Sequence, residues 1–360
     1  MTSIRTQIDS LTGLRAIAAL WVMLMHFREI TPLRVWHFPL VDPVIENGAC
    51  GVEIFFVLSG FILSYVYASE FSTGVNAYEF KKFMIFRFAR IYPIHIITFI
   101  AMSLMFLVNY IVSIEHSASY QRYDFLTVIT TLSLTHAWIP GIQTPNMPAW
   151  SISAEWFAYI LFPVLCFCMF IKRWVAIIFA ILGLGCAYIE TRFHNDLIYV
   201  LSGFLVGMAA YYFTPVIRQL TDTCPFAGFV VTIGIFVWAY AVSPNAEIGL
   251  FLFAIFIITL TNPRDWISRV LGVRSIVYLG EISYSLYMVH WLVRVVLRDG
   301  LRLIGVLNKL PSAMVVGVYI GGTVIAAVLC YHFIELPGRT VLRRIGTRIR
   351  WVNYRPKLSA

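Results

Sequence analysis

The sequence predicts an all-α, polytopic membrane protein of about ten transmembrane helices with both termini in the cytoplasm. The 360-residue chain is 60% hydrophobic and only 12% charged, whereas about a quarter of the residues of a soluble domain are charged. Apolar segments recur along its whole length. The sequence lacks the ten-residue stretches of alternating polarity that are typical of a membrane β-barrel. Composition and pattern together therefore favour a bundle of membrane helices.

Hydropathy and helix-breaking residues divide the chain into ten apolar segments of roughly membrane-spanning length. These segments are 13–31, 48–69, 93–113, 151–171, 174–190, 196–214, 226–243, 247–261, 276–298 and 312–336. A further apolar stretch, FLTVITTLSLTHA at 125–137, has thirteen residues, of which five are threonine or serine. Because a full span needs about 20 residues, we expect a short re-entrant or surface helix there.

The positions of lysine and arginine predict the orientation. If 125–137 does not cross the membrane, the basic stretch KKFMIFRFAR, the pair Lys172–Arg173 and the arginine-rich C-terminus fall on the side of the N-terminus. If it crosses, these segments are divided between the two sides. Positive residues concentrate on the cytoplasmic side of a membrane protein, so the first solution is preferred and residues 114–150 form an outer region.

Charge and cysteine content exclude several other classes. The net charge of +9 does not indicate nucleic-acid binding, because the basic residues lie in short loops that set topology and attract anionic lipid head groups. The six cysteines form no CxxC pair, and no metal site is expected. Residues 1–12 are polar and no cleavage site follows, so the first helix is expected to remain as an anchor.

We divide the chain into a transmembrane domain, 1–340, and a basic cytoplasmic tail, 341–360.

Two ionisable residues frame the first span, RAIAALWVMLMH. Arg15 and His26 are eleven residues apart, which places them on one helical face about 16 Å apart along the axis. An ionisable side chain at membrane depth usually has a function. The alternative is that Arg15 extends to the interface and His26 merely ends the helix.

A second basic constellation lies in KKFMIFRFARIYP, residues 81–93. Its apolar residues follow a 3–4 spacing, which predicts an interfacial helix with its apolar face in the lipid. Arg87 and Arg90 are at i and i+3 and point together, and two adjacent guanidinium groups suit a phosphate or pyrophosphate. Anchoring to lipid head groups is the alternative.

Polar residues also mark the start of the fourth span, PAWSISAEW. Ser151 and Glu155 are at i and i+4, beside Trp150, and share a helix face. Ser151 could instead be a helix cap and Glu155 a charge that favours the helix N-terminus. Because Glu155 lies about one turn inside an apolar helix, it is a candidate for a polar cavity.

The ninth span, GEISYSLYMVHWLVR, carries a stripe of polar side chains. Tyr287, His290 and Arg294 each fall within 40° of Ser283 around the helix. Such a stripe, three turns long, is typical of an aqueous or ligand-filled path. By contrast, the glycines and Ser59 of GACGVEIFFVLSGFILS are interpreted as small residues that permit close helix packing.

Taken together, these stretches resemble the acyltransferase-3 family of integral-membrane O-acyltransferases. The resemblance covers roughly residues 8–340. At Thr12, many family members have an acidic residue. We expect a stand-alone member of that family, without a soluble esterase-like domain after the membrane part. The blocks that carry the resemblance are, in order, RAIAALWVMLMH, GVEIFFVLSGFILS, the RxxR of Arg87 and Arg90, WSISAEW, GEISYSLYMVH and FIELPGR.

The resemblance implies acyl transfer, usually of acetyl from cytoplasmic acetyl-CoA, to a sugar hydroxyl of a polysaccharide or lipid-linked oligosaccharide. Acetyl-CoA would be a cosubstrate, and no cofactor would be permanently bound. The protein would be located in the bacterial inner membrane. His26 would be the general base. Arg15 would orient the donor or stabilise the oxyanion, and Glu155 would complete the catalytic set. Arg87 and Arg90 would bind the phosphates of acyl-CoA. The substrate path would be formed by Trp150, Ser151, Ser283, Tyr287, His290 and Arg294.

Two other classes remain open from the sequence. Ten helices with an internal polar stripe would also suit a proton-coupled or glycan-related transporter. Against this, we find no internal repeat and no pair of broken helices in corresponding positions. A membrane assembly subunit whose charges only set topology is the third possibility. The sequence does not indicate an oligomeric state.

Overall fold

The computed structural model describes residues 7–28, 42–112, 124–241, 245–303, 305 and 311–348. Within these residues the chain forms helices and no strands, which confirms the all-α membrane class. A 3₁₀ turn covers His136–Trp138 and a π-helical turn covers Tyr331–Glu335. The α-helices are α1 (Asp9–Arg28), α2 (Asp42–Glu46), α3 (Cys50–Phe71), α4 (Ala77–Val112), α5 (Phe125–Leu132), α6 (Ala149–Ile171), α7 (Arg173–Phe193), α8 (Asp196–Thr221), α9 (Ala227–Tyr240), α10 (Ala246–Leu260), α11 (Trp266–Leu271), α12 (Arg274–Glu281), α13 (Ser283–Leu303), α14 (Ser312–Cys330) and α15 (Leu336–Arg348).

Seven helices of the described chain are long and apolar enough to cross a membrane, which confirms the polytopic prediction. They are Asp9–Phe27, Cys50–Phe71, Ala77–Val108, Ala149–Ile171, Trp174–Phe193, Asp196–Thr221 and Met314–Gly346. Two more of the predicted spans correspond to α9 and α10, which are apolar but shorter. The predicted span 276–298 corresponds to α12 and most of α13, a 21-residue helix that carries four charged residues.

Two of the predicted membrane spans differ from the helices of the structure. The span predicted at 276–298 is interrupted at Ile282, between α12 and α13. The span predicted at 312–336 continues through the π-helical turn into α15, which crosses the expected domain boundary at residue 340. The ends of several predicted segments lie outside the described residues, including 29–31, 114–123 and 349–360.

The prediction of an interfacial helix at 81–93, with its apolar face in the lipid, is wrong. The chain forms one helix from Ala77 to Val112, with Pro93 inside it. Phe83 and Ile91 are buried, and the ring of Phe83 stacks on Phe162 of α6 at 5.4 Å. The apolar face of this stretch therefore packs against protein rather than lipid. Hydropathy does not separate the two environments, because lipid tails and leucine-like side chains are equally apolar.

Close contact between α3 and α8 forms the centre of the bundle. A Cβ added to Gly60 would lie 2.1 Å from the carbonyl oxygen of Phe204, and one added to Gly207 would lie 2.0 Å from that of Val57. Only glycine permits these backbones to approach so closely. The packing role expected for the small residues of α3 is confirmed at Gly60.

Two further packing contacts position the polar residues. α1, α13 and α14 share a buried apolar cluster that includes Met23, Phe27, Leu286 and Tyr319. α15 runs antiparallel to the first half of α4. There, Gly338 faces Pro93 and Gly346 faces Ile85, each with no room for a Cβ. These contacts bring α1, α4 and α13 together, and with them the arginines of α1 and α4 and the polar face of α13.

The segment 125–137 contains a short helix, as predicted. α5 has only eight residues and is capped by Asp124, whose side chain accepts a hydrogen bond from the backbone N–H of Thr127. A 3₁₀ turn at His136–Trp138 follows. Thr130 and Thr131 are buried while Phe125 is 80% exposed. The helix is too short to cross a membrane, in agreement with the expected topology.

Candidate active site

A cavity of about 120 Å³ lies among α1, α3, α4, α6 and α13. Its walls combine apolar side chains of α3 with polar groups from all five helices. The cavity brings together residues that are far apart in the sequence, among them four of the five predicted for catalysis and donor binding. Its polar lining consists of Arg15, Ser59, Arg87, Arg90, Ser151, Glu155, Tyr159, Tyr284 and Tyr287.

Arg90 is held by a carboxylate that the sequence analysis did not single out. Its guanidinium forms a short ion pair with Glu335, the last residue of the π-helical turn. The other oxygen of Glu335 accepts a hydrogen bond of 2.7 Å from Ser285 Oγ, and the Arg90 guanidinium lies 5.6 Å from the centre of the Tyr284 ring. Arg90 is therefore neutralised and oriented by α13 and by the turn.

Arg87 has a different environment from Arg90. It donates to Tyr67 Oη at 3.3 Å, and its guanidinium lies 5.5 Å from the Tyr67 ring and 5.9 Å from the Tyr159 ring. In the described part of the chain, the buried Nε of Arg87 has no hydrogen-bond partner. Aromatic rings stabilise the cation without neutralising it, so Arg87 retains both charge and donor capacity. Arg87 and Arg90 both line an internal cavity, and this position favours a buried anionic ligand over anchoring to lipid head groups.

Glu155 faces the arginines from α6. It accepts a short hydrogen bond from Ser59 Oγ of α3, and Tyr159 also hydrogen-bonds to it. Arg15 of α1 lies within electrostatic reach of Glu155, Arg90 and Glu335. The site therefore contains three arginines and two carboxylates in one region of the bundle. Ser59, which the sequence analysis interpreted as a packing residue, in fact orients Glu155.

A chain of short polar contacts leads away from this cavity to His26. Ser151 Oγ and Tyr287 Oη are 2.8 Å apart. One turn along α13, His290 Nδ1 lies 2.6 Å from the carbonyl oxygen of Tyr287. His290 Nε2 in turn lies 3.0 Å from His26 Nδ1. Neither histidine is among the described residues that line the cavity. His26 therefore meets α13 directly, whereas Arg15 lines the cavity to which α13 also contributes.

The remaining predicted site residues lie apart from the cavity. Trp150 stacks on Tyr199 of α8, with ring centres 5.8 Å apart. Ser283 is completely buried, and among the described residues its hydroxyl has no hydrogen-bond partner. Arg294 lies 4.2 Å from the centre of the Trp291 ring. The stripe predicted on α13 is therefore not one continuous lining.

Several site residues were missed by the sequence analysis, although two of them carry a recognisable signal. Tyr159 extends the spacing of Ser151 and Glu155 by another four residues on the same helix face. Glu335 is the only carboxylate of the apolar segment 312–336, which by itself marks a functional candidate. Tyr284 carries no comparable signal. Its ring reaches Arg90 because α13 begins anew after the break at Ile282.

Comparison with known proteins identifies the family. A family model described as "Acyltransferase domain" matches residues 8–332. The chain belongs to the acyltransferase-3 family. Membership favours acyl transfer over the transporter and assembly-subunit alternatives. No solved structure matches the chain.

Three of the similar proteins are from bacteria. A protein of Staphylococcus aureus (strain COL) named "Putative O-acetyltransferase" is 26% identical over 97% of this chain and 59% of its own length. The peptidoglycan O-acetyltransferase OatA of Listeria monocytogenes is 22% identical over 93% of this chain and 56% of its own length. The acyltransferase MdmB of Streptomyces mycarofaciens is 29% identical over 44% of this chain and 39% of its own length. The chain spans less than two thirds of the length of these relatives.

Proposed function

We propose that this protein transfers an acetyl group from cytoplasmic acetyl-CoA to a hydroxyl of an envelope or exported glycan at the bacterial inner membrane. The acceptor would be a polysaccharide or a lipid-linked oligosaccharide. The observation that carries the proposal is the central cavity, where arginines of α1 and α4 meet Glu155 and Ser151 of α6. The names of the relatives, two of them O-acetyltransferases, support transfer of an acyl group to oxygen.

The donor side of the reaction is assigned to the arginines. Acetyl-CoA carries phosphates, and a guanidinium fork binds such anions with paired hydrogen bonds. Arg90 already pairs with Glu335, whereas Arg87 contacts a tyrosine hydroxyl and aromatic rings and has Glu155 only within electrostatic reach. Arg87 is therefore the principal phosphate contact, and Arg90 shapes the site beside it.

The acceptor side is assigned to α6 and His26. The carboxylate of Glu155 and the hydroxyl of Ser151 can hydrogen-bond to sugar hydroxyls. His26 Nε2 takes the proton of the acceptor hydroxyl as its oxygen attacks the thioester carbon. The carbon–sulfur bond then breaks, the ester forms, and the leaving thiolate of CoA receives that proton from His26. Atoms and charges balance without a further reactant.

Arg15 acts on the donor rather than at the proton-transfer step. Along α1 it lies eleven residues from His26, about 16 Å, so the two side chains do not meet at one atom. Arg15 lines the cavity with Arg87 and Arg90, where its charge would orient the elongated donor. This separation favours orientation of the donor over stabilisation of the oxyanion.

The test measures transfer of labelled acetyl from acetyl-CoA to endogenous glycan in membranes. His26→Gln should abolish transfer, because an amide hydrogen-bonds but does not accept a proton near neutral pH. Arg15→Lys should be strongly impaired, because a point charge does not replace a planar fork. Size-exclusion chromatography in detergent checks that each variant is folded.

A matched control is available on α7. His194 is 81% exposed at the C-terminal end of that helix, so His194→Gln should transfer acetyl at the wild-type rate. Wild-type transfer by His26→Gln would remove His26 as the base. Absence of any glycan labelling by the folded wild-type protein, with all natural glycan acceptors present, would contradict the proposed function.

A further inference from the structure

We infer that His290 is a positioning residue that fixes the ring tautomer of His26 and leaves the lone pair of His26 on Nε2. The inference rests on the proposed function for its catalytic consequence, but the tautomer itself is a property of the fold. It assigns His290 to a different task from the substrate path suggested by the polar stripe. The observation behind it is the sequence of contacts from the Tyr287 carbonyl through His290 to His26.

The hydrogen bond between His290 and the Tyr287 carbonyl determines the direction of the next one, between His290 and His26. The carbonyl oxygen of Tyr287 can only accept, so His290 Nδ1, at 2.6 Å, carries a hydrogen and donates. A neutral imidazole with a hydrogen on Nδ1 has its lone pair on Nε2. That nitrogen lies 3.0 Å from His26 Nδ1 and must accept from it. The hydrogen of neutral His26 is therefore on Nδ1.

The surroundings of His290 favour its neutral form. The residue is completely buried, and Arg294 follows one turn later on the same helix. A buried cation placed close to a second cation is strongly unfavourable. His290 therefore accepts through Nε2 in the resting protein rather than donating from both nitrogens.

Both rings are held in place by packing. The His26 and His290 rings are nearly parallel, with centres 5.2 Å apart, and Trp291 meets the His26 ring edge-on at 5.4 Å. Phe27 and Tyr287 contact the His290 ring at 6.4 and 5.8 Å. The orientation of His26 is therefore set by α13 before any substrate binds.

The arrangement has a direct chemical consequence. A general base is commonly oriented by a third group that accepts from its other ring nitrogen. Here that group is a second imidazole rather than a carboxylate, so no additional negative charge is buried. When His26 takes a proton on Nε2, its Nδ1–H donates to His290 from a cationic ring, and such a charge-assisted hydrogen bond is stronger. His290 thereby stabilises the protonated base.

Two substitutions of similar length separate positioning from packing. His290→Gln keeps an acceptor oxygen toward His26 and an amide N–H toward the Tyr287 carbonyl. His290→Met fills the same space but presents only a weak acceptor. We expect His290→Gln to retain acetyl transfer within about tenfold of the wild type and His290→Met to lose at least 100-fold, with both variants folded.

The second readout is independent of activity. In protein labelled with ¹⁵N-histidine, with the His26 signals assigned by their loss in His26→Gln, the spectrum shows which ring nitrogen carries hydrogen. We expect Nδ1–H at His26 in the wild type and in His290→Gln, and a shift toward Nε2–H in His290→Met. Loss of transfer that accompanies loss of Nδ1–H in any folded variant supports the inference.

Two results would overturn it. One is an unchanged Nδ1–H at His26 in His290→Met. The other is a folded His290→Gln that keeps Nδ1–H but loses transfer as completely as His290→Met, because His290 would then act on substrate directly. Failure of the proposed function gives a different pattern: the wild type would show the Nδ1–H signal and transfer no acetyl to glycan.

Discussion

Arg90 of α4 and Glu335 of the π-helical turn form an ion pair inside the helical bundle. Glu335 is completely buried and Arg90 is 16% exposed. The same carboxylate accepts a hydrogen bond from Ser285 Oγ of α13, so three segments of the chain meet at one residue. π-helical turns occur frequently at functional sites, and here the turn places the carboxylate where α4 and α13 require it.

Breaking this ion pair should destabilise the protein strongly. Removing one partner leaves a buried charge uncompensated, at a cost of about 3–5 kcal/mol. We therefore expect Glu335→Met to lower the Tm in detergent markedly. The double variant Arg90→Met with Glu335→Met should be less destabilised than Glu335→Met alone, because no unpaired charge remains. A double variant that shows the summed loss of the two single variants would contradict the ion pair.

Arg87 should contribute to binding of the donor. Arg87→Gln keeps amide donors but removes the charge, and a hydrogen bond to a charged group is worth about 1.5–3 kcal/mol. We expect the Kd for acetyl-CoA to rise roughly 10- to 150-fold. The control is Arg192→Gln on α7, because Arg192 has a similar contact with Tyr188 but lies outside the cavity. Unchanged affinity in folded Arg87→Gln would exclude the phosphate role.

Cysteine labelling tests the expected topology. Cys224 is the exposed cysteine of the described chain and is first replaced by serine. Gln143→Cys, on the exposed connection before α6, should then react with an impermeant thiol reagent added to intact cells. Thr73→Cys, on the exposed connection between α3 and α4, should react only after the membrane is opened. The reverse pattern would invert the orientation inferred from the basic residues.

His136, in the 3₁₀ turn after α5, should make stability sensitive to acid. Burial, together with the nearby His95, lowers the pKa of His136 to about 4, from an ordinary value near 6.5. The unfolded chain therefore binds a proton between these values while the folded chain does not. Stability is fully present above pH 6.5 and falls as the pH drops toward 4. By pH 5 the loss from this group is about 2 kcal/mol.

The comparison with His136→Gln isolates this contribution, because glutamine keeps a donor toward the Ala149 carbonyl, which lies 3.1 Å from His136 Nε2. The difference in Tm between pH 8 and pH 5, measured in detergent, should be smaller in His136→Gln than in the wild type. Equal pH dependence of the two proteins would show that His136 titrates alike in the folded and unfolded states.

Much of the fold follows from the sequence alone. Apolar length identified the membrane helices, and the short segment 125–137 was correctly kept apart from them because eight helical residues do not span a bilayer. Helical periodicity also placed Ser151 with Glu155, and Arg87 with Arg90, on shared faces that line the cavity. These inferences succeed because they depend on residues within a few turns of one another.

The positions where helices end or continue were harder to predict from the sequence. Pro93 suggested the end of a segment, yet α4 continues through it. Ile282 gave no such signal, yet the chain turns there between α12 and α13. A proline in a membrane helix is tolerated where neighbours re-satisfy the backbone, and a break at an ordinary residue is set by packing. Both depend on contacts with other helices.

The sequence by itself determined the membrane class, most of the helices, the family and the shared face of Arg15 and His26. Only the tertiary structure decided the partners: Glu335 for Arg90, Ser59 for Glu155 and His290 for His26. Local periodicity fixes where a side chain points on its own helix. Which residue it meets depends on the rotation and depth of a second helix, and these are set by packing between segments up to 264 residues apart in the chain.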